Sequence, residues 1–122
     1  MTDEELTRQL AERVMGWRTS FWVKCDSAFW DTEGLVNYWI YNDRPVMQVM
    51  DFKPLTNIVH AWMVVERMRE KGYTFSISGT SKEKDKPFEV GFWNYIKTQQ
   101  TGYDKSICRA IGLAALAAVE EE

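Results

Sequence analysis

Residues 107–119 read ICRAIGLAALAAV, interrupted in their apolar run only by Arg109 and Gly112. A helix apolar nearly all round lies in a core or under a partner, so the architecture follows from what can cover it. The stretch FEVGFWNYI, residues 88–96, offers the cover. Read as one long strand, it puts Phe88, Val90 and Phe92 on one face and Trp93 and Tyr95 on the other. A strand with large side chains on both faces is covered on both sides. The last helix, spanning about 103–119, is then one cover of a layered structure, with Cys108 as a small core hydrophobe.

The rest of the chain supplies further layers. Thr2 followed by Glu5 is a capping box, and Leu6, Leu10 and Val14 form an apolar stripe in a first helix over about 3–15, stopped at Gly16. Residues 17–52 predict an antiparallel meander. Its strands surround Phe21-Trp22-Val23, Val36 to Tyr41 and Val46 to Phe52, with turns at 31–34 and 42–45. After Pro54, Thr56 is the expected N-cap of a second helix over about 57–71. Ile58, Trp62, Val65 and Met68 form its inward stripe, and Gly72-Tyr73 forms a Schellman stop on Met68. Tyr73 to Ser78 alternates as a strand, 79–87 is a charged loop, and Gln99 to Gly102 is a polar turn into the last helix. The reading is α+β: a single domain over 1–122, a three-layer α/β/α sandwich with three helices packed on both faces of one mainly antiparallel sheet. The expected core holds Leu10, Val14, Trp62, Val65, Met68, Phe92, Ile107, Ile111 and Leu116. Full burial of Trp62 implies a loss of about 3–5 kcal/mol on truncation to Ala.

Composition narrows the function. Fifteen basic against eighteen acidic residues leave a net charge of −3, which argues against bulk electrostatic binding of nucleic acid. No apolar run reaches the roughly 20 residues of a membrane span. The acidic first residues do not resemble a signal peptide, and two cysteines, Cys25 and Cys108, are a poor disulfide framework. The expected setting is the cytoplasm. One histidine, His60, has no assignable nucleophile, base or metal-ligand partner and reads as structural or solvated. Neither phosphate-binding glycine motif occurs. The expectation is a protein without catalytic residues, metal or cofactor.

Six tryptophans, at 17, 22, 30, 39, 62 and 93, are the unusual feature. They pack a core or, for Trp17, Trp39, Trp93 and Tyr95, line an edge where a planar ligand stacks. Arg109 on an apolar helix reaches water, pairs with a carboxylate or meets an anionic ligand. Any small-ligand site is therefore expected at the start of the last helix. Trp93 and Tyr95 would stack a base there, Thr101 and Gly102 would offer turn N–H groups, and Lys97, Tyr103, Lys105 and Arg109 would complete the pocket.

Three stretches carry a resemblance. They are Val14-Met15-Gly16-Trp17 after the acidic helix, Phe52 to Asn57 leading into Ala61 to Met68, and Ser106 to Ala110 with Ala114-Ala115-Leu116. Together the pattern resembles the phage ABA sandwich domain family of small phage and prophage proteins. The resemblance implies an α/β/α sandwich and a bacterial host cell, and it carries no catalytic residues. For such proteins the expected roles are sequestration of a nucleotide-type immune signal, inhibition of a host protein by direct interaction, or a structural accessory function. A homodimer is expected from the apolar excess of the last helix.

Overall fold

Thr2 Oγ1 accepts the N–H of Glu5 at 3.2 Å, so the first helix, α1 (Asp3–Gln9), opens with an orphan donor satisfied and three carboxylates in its first turn. Its pairing widens to π-helical geometry over Leu10–Val14, where Met15 N–H reaches the Leu10 carbonyl at 3.0 Å. Leu6, Leu10, Ala11 and Val14 are all buried. Gly16, at φ +74°, ends the segment because left-handed backbone is cheap only for glycine. The computed structural model describes residues 2–23, 35–78, 88–94, 100–104 and 106–120. The expectations at Cys25, Trp30, the 31–34 turn, the 79–87 loop, Tyr95, Lys97 and Lys105 lie outside these residues.

The meander is a three-stranded antiparallel sheet in the order β1 (Arg18–Val23), β2 (Leu35–Tyr41), β3 (Arg44–Gln48). Asn42 and Asp43, at φ +52° and +61°, make the two-residue β2–β3 connection. Positive φ at both positions matches the turn to the right-handed twist of the flanking strands. The turn is therefore only Asn42-Asp43, and Arg44 and Pro45 belong to β3.

Asn57, not Thr56, caps the second helix, α2 (Ile58–Glu70): its Oδ1 accepts from Val59 N at 2.9 Å and His60 N at 3.3 Å. Thr56 is held back in the preceding turn, where its N–H bonds the Lys53 carbonyl. The helix ends in the expected Schellman motif. Gly72 N–H bonds the Arg69 carbonyl at 2.9 Å, Tyr73 N–H bonds that of Met68 at 3.0 Å, and Gly72 adopts φ +95°.

The remaining strands form a second antiparallel sheet, β4 (Thr74–Ser78), β5 (Phe88–Trp93) and β6 (Gln100–Asp104), with β5 in the middle. Two expectations change here. The strands divide between two sheets instead of forming one. Residues 100–104, read as a turn and the start of the last helix, are a strand, and the helix α3 starts only at Ile107 (Ile107–Glu120). Polar Gln100 and Thr101 hid the strand, and Gly102 read as punctuation. Gly102 lies opposite Val90 and is buried. A Cβ there would come within 2.4 Å of the Ala110 carbonyl oxygen and 2.7 Å of Ala114 N. The glycine lets α3 lie directly on the sheet backbone.

On the other side of α3, a Cβ at Gly112 would lie 3.0 Å from the ends of Leu10 and Leu55. The helix is thus covered inside the chain by β5, β6, α1 and α2. Its apolar circumference calls for no second copy. Leu10, Val14, Val65, Met68, Phe92, Ile111 and Leu116 are in the core as expected, and Ile107 is half-buried against it. The class is the α+β sandwich that the sequence implies.

Gly102→Ala should lower stability by about 2–3 kcal/mol, because its new methyl meets backbone that cannot yield. Gly112→Ala should change it by less than about 1 kcal/mol, since leucine ends can move and alanine is the better helix former. Urea denaturation of the two variants checks the contrast.

Candidate functional site

Among the described residues expected at an anion site near the start of α3, the sheet separates Trp93 and Thr101 from Gly102. Directly paired residues of an antiparallel sheet share a face, and alternate residues switch face. Thr101 pairs with Gly91, so Thr101 and Trp93 lie on the face away from α3, whereas Gly102 faces the helix. Trp93 and Thr101 are half-buried. Tyr103 pairs with Glu89 in β6. Among the expected aromatic residues, Trp17 and Trp39 are core: they sit 6.3 Å apart, and Trp17 packs edge-on to Phe52 at 4.9 Å.

Arg109 takes the second of its three possible courses. Its Nη1 donates to Asp104 Oδ2 at 2.8 Å and its Nε to Asp3 Oδ1 at 3.1 Å, tying the end of β6 and the first turn of α1 to α3. These bonds, to Asp104 first and Asp3 second, push its already high pKa higher. The folded value lies above the unfolded one. The stabilisation is therefore present below the unfolded value, for as long as both carboxylates carry their charge, and fades in strong alkali. Two carboxylates already neutralise the guanidinium, which leaves little attraction for an added anion. Next to it, burial pushes the Cys108 thiol up, opposed by a smaller backbone hydrogen-bond contribution.

His60 is a structural acceptor. Its Nδ1 takes the Lys53 N–H at 2.9 Å, and its ring lies 5.7 Å from Phe52, so it fastens α2 to the preceding loop. Among the described residues no group of three or more His, Cys, Asp or Glu is placed to hold a metal.

The main correction concerns Trp62. Ala61, Val64, Val65 and Met68 face the core at the i, i+3, i+4, i+7 spacing, and Trp62 is rotated about 100° from Ala61. It is 45% exposed, resting edge-on against Phe75 at 5.8 Å. Sequence reasoning merged two apolar stripes into one. The second stripe is Val59, Trp62 and Met63 on the outer face, continued one and two turns later by Glu66 and Glu70. Its signal was visible as apolar residues at positions that a one-sided helix leaves polar.

This outer face forms the floor of an open groove of about 530 Å³, completed by Met15, Ile58 and Arg67. Ile58 is 51% exposed and Val59 66%. Arg67 is tucked under the rim: its Nη1 bonds Tyr41 Oη at 2.8 Å and its guanidinium lies 4.5 Å from the Tyr41 ring centre. A second cavity of about 510 Å³ lies between α1 and the loop before α2. There Arg8 and Lys53 are balanced by Asp3 and Glu4, around Trp39 and Phe52. That balance gives a polyanion no net attraction.

The family model of the phage ABA sandwich domain matches residues 8–116. The chain belongs to the phage ABA sandwich domain family. The matched span runs from within α1 to within α3 and so includes every strand. No curated protein and no solved structure matches the chain. No described helix of this phage ABA sandwich domain is long and apolar enough to cross a membrane.

Two measurements check this arrangement. Trp62→Ala should lose only about 1–2 kcal/mol in urea melts, since half its surface is already wet and one aromatic contact goes. Phe92→Ala, fully buried, should lose about 3–5 kcal/mol. In a Cys25→Ser background, Cys108 should react with a thiol reagent at least about tenfold more slowly in the native protein than in urea, because a buried, protonated thiol is a poor nucleophile.

Proposed function

We propose that this phage-family domain is a non-enzymatic interaction module that binds a host protein through the outer face of α2. The supporting observation is the exposed apolar set of Ile58, Val59 and Trp62, with half-buried Met63 beside them, grouped on one helix face. The fold leaves more than half of Ile58 and Val59 and nearly half of Trp62 in contact with solvent. The core of α2 is complete with Ala61, Val64, Val65 and Met68, and β-branched Ile58 and Val59 are poor choices for exposed helix positions. Tryptophan is the residue type most enriched at interface hot spots, and here it stands at the centre of the patch. Contiguous apolar surface of this kind marks interaction sites on soluble domains.

Sequestration of a nucleotide-type signal draws less support. It needs unneutralised positive charge beside accessible aromatic faces, and Arg109 is paired while Trp17 and Trp39 are buried. The working location for the interaction reading is the bacterial cytoplasm.

The test is site-specific photo-cross-linking in bacterial cells. A benzophenone amino acid at Val59 or Met63 should give a discrete adduct with a host protein, and the same probe at exposed Thr19 on β1 should not. The adduct should disappear when Trp62 is changed to Ala. A uniform absence of adducts from the α2 positions would overturn the proposal.

A further inference from the structure

We infer that the cavity between α1 and the loop before α2 is a binding site for a small apolar α-amino acid in its zwitterionic form. The carboxylate accepts from the indole N–H of Trp39 beside Arg8 and Lys53, and the ammonium faces Glu4. The cavity shares no lining residue with the α2 groove, so the two readings stand or fall separately.

The observation that carries this is an orphan donor. Trp39 lines the cavity and is only 2% exposed, and its buried Nε1–H finds no acceptor among the described residues. A buried indole N–H normally has a partner, because leaving it unmatched forfeits its hydration without return. The atom is sealed from water, so an acceptor reaches it only when a wall side chain gives way. Met50 is the wall residue best able to do so: it is 72% exposed, unbranched and rotates freely about three bonds.

The rest of the lining says what carries the acceptor. Phe52 and Leu55, with half-buried Val49, give the cavity an apolar floor suited to a hydrocarbon or aromatic side chain. The rim is charged with both signs. Asp3 is held by Arg109 at 3.1 Å. Among the described residues no ion pair engages Arg8, Lys53 or Glu4. Glu4 and Arg8 stand one turn apart on α1, and Lys53 lies on the facing loop. A free anion would meet Glu4 and a free cation would meet Arg8 and Lys53. A zwitterion with an apolar side chain satisfies both signs, and its carboxylate is the strong acceptor that Trp39 lacks. At about 510 Å³ the cavity is of ordinary size for a small-molecule site.

The competing account lies on the same face of β2. Asn37, two residues from Trp39 and about 7 Å along the strand, has a buried Oδ1 that is also without a partner among the described residues. One water between the two would satisfy both without any ligand.

The experiment is titration of the full chain, labelled with ¹⁵N at the tryptophan indoles, while the Trp39 N–H signal is followed by NMR. Trp39→Phe assigns that signal. The probes are L-phenylalanine, L-leucine and L-methionine, their amides, their N-acetyl derivatives, and L-serine. The zwitterions should move the Trp39 signal with Kd below about 1 mM, and L-serine should not. Amides and N-acetyl derivatives should bind at least about fivefold more weakly, as should the zwitterions to Arg8→Gln, Lys53→Gln protein. Glu4→Gln should abolish the preference for the zwitterion over the N-acetyl derivative. These three rim positions are exposed, and thermal melts establish that each variant is folded. Binding that leaves the Trp39 signal in place, or amides that bind as well as the zwitterions, would overturn the inference. So would a Trp39 signal that no probe moves but Asn37→Leu does, which would assign the orphan donor to water shared with Asn37.

Discussion

Backbone-to-backbone contact between α3 and β6 at Gly102 governs how everything else packs. Side chains normally hold a helix and a sheet well apart. Here Gly102 on the strand and Ala110 and Ala114 on the helix remove that spacer. Close approach places the thin side of α3 against the sheet and leaves its other side for Leu6, Leu10 and Leu55 at Gly112. The helix thus joins the second sheet to α1 in a single core that also takes in Trp17, Trp39 and Phe52. Small residues on α3 are what allow large ones elsewhere to interlock, because packing at crystal-like density needs both.

Much of this was legible from local chemistry. The Thr2 cap, the glycine stops at Gly16 and Gly72 and the Schellman bonds at Tyr73 depend on a few adjacent residues, so they were readable from spacing. The same holds for the meander, because hairpin pairing is local. What could not be read depended on partners distant in sequence. Strand β6 has little strand propensity of its own, and it exists because β5 pairs with it and α3 covers it. Arg109 takes one partner, Asp104, from nearby in the sequence, but its second, Asp3, stands more than a hundred positions away. The exposure of Trp62 turned on a rotation of one residue along the helix, which apolar content alone does not specify.

The described part of the expected anion site, Trp93, Thr101, Gly102 and Arg109, is divided for related reasons. It was assembled from residues adjacent in sequence near 93–109. Antiparallel pairing sends consecutive residues to opposite faces of a sheet, so proximity along the chain separated Thr101 from Gly102 rather than joining them. The surface that does stand out was hidden inside an element read correctly. A helix has room for two stripes, and α2 buries one in the core while much of the other stays exposed.

The central position of α3 also shapes the order of events during synthesis. It is translated after every strand and after both other helices, yet α1 and β6 pack on it and Arg109 locks Asp3 in place. Until residue 112 has left the ribosome, Leu6 and Leu10 lack one of the surfaces they close upon. The nascent chain can form the local Asn42-Asp43 hairpin and the capped α2 while the sandwich remains open, with Phe92 and Val90 exposed. A topology whose keystone is made last gains cooperativity at the expense of a vulnerable interval. During that interval the unclosed chain is the form that chaperones and proteases encounter.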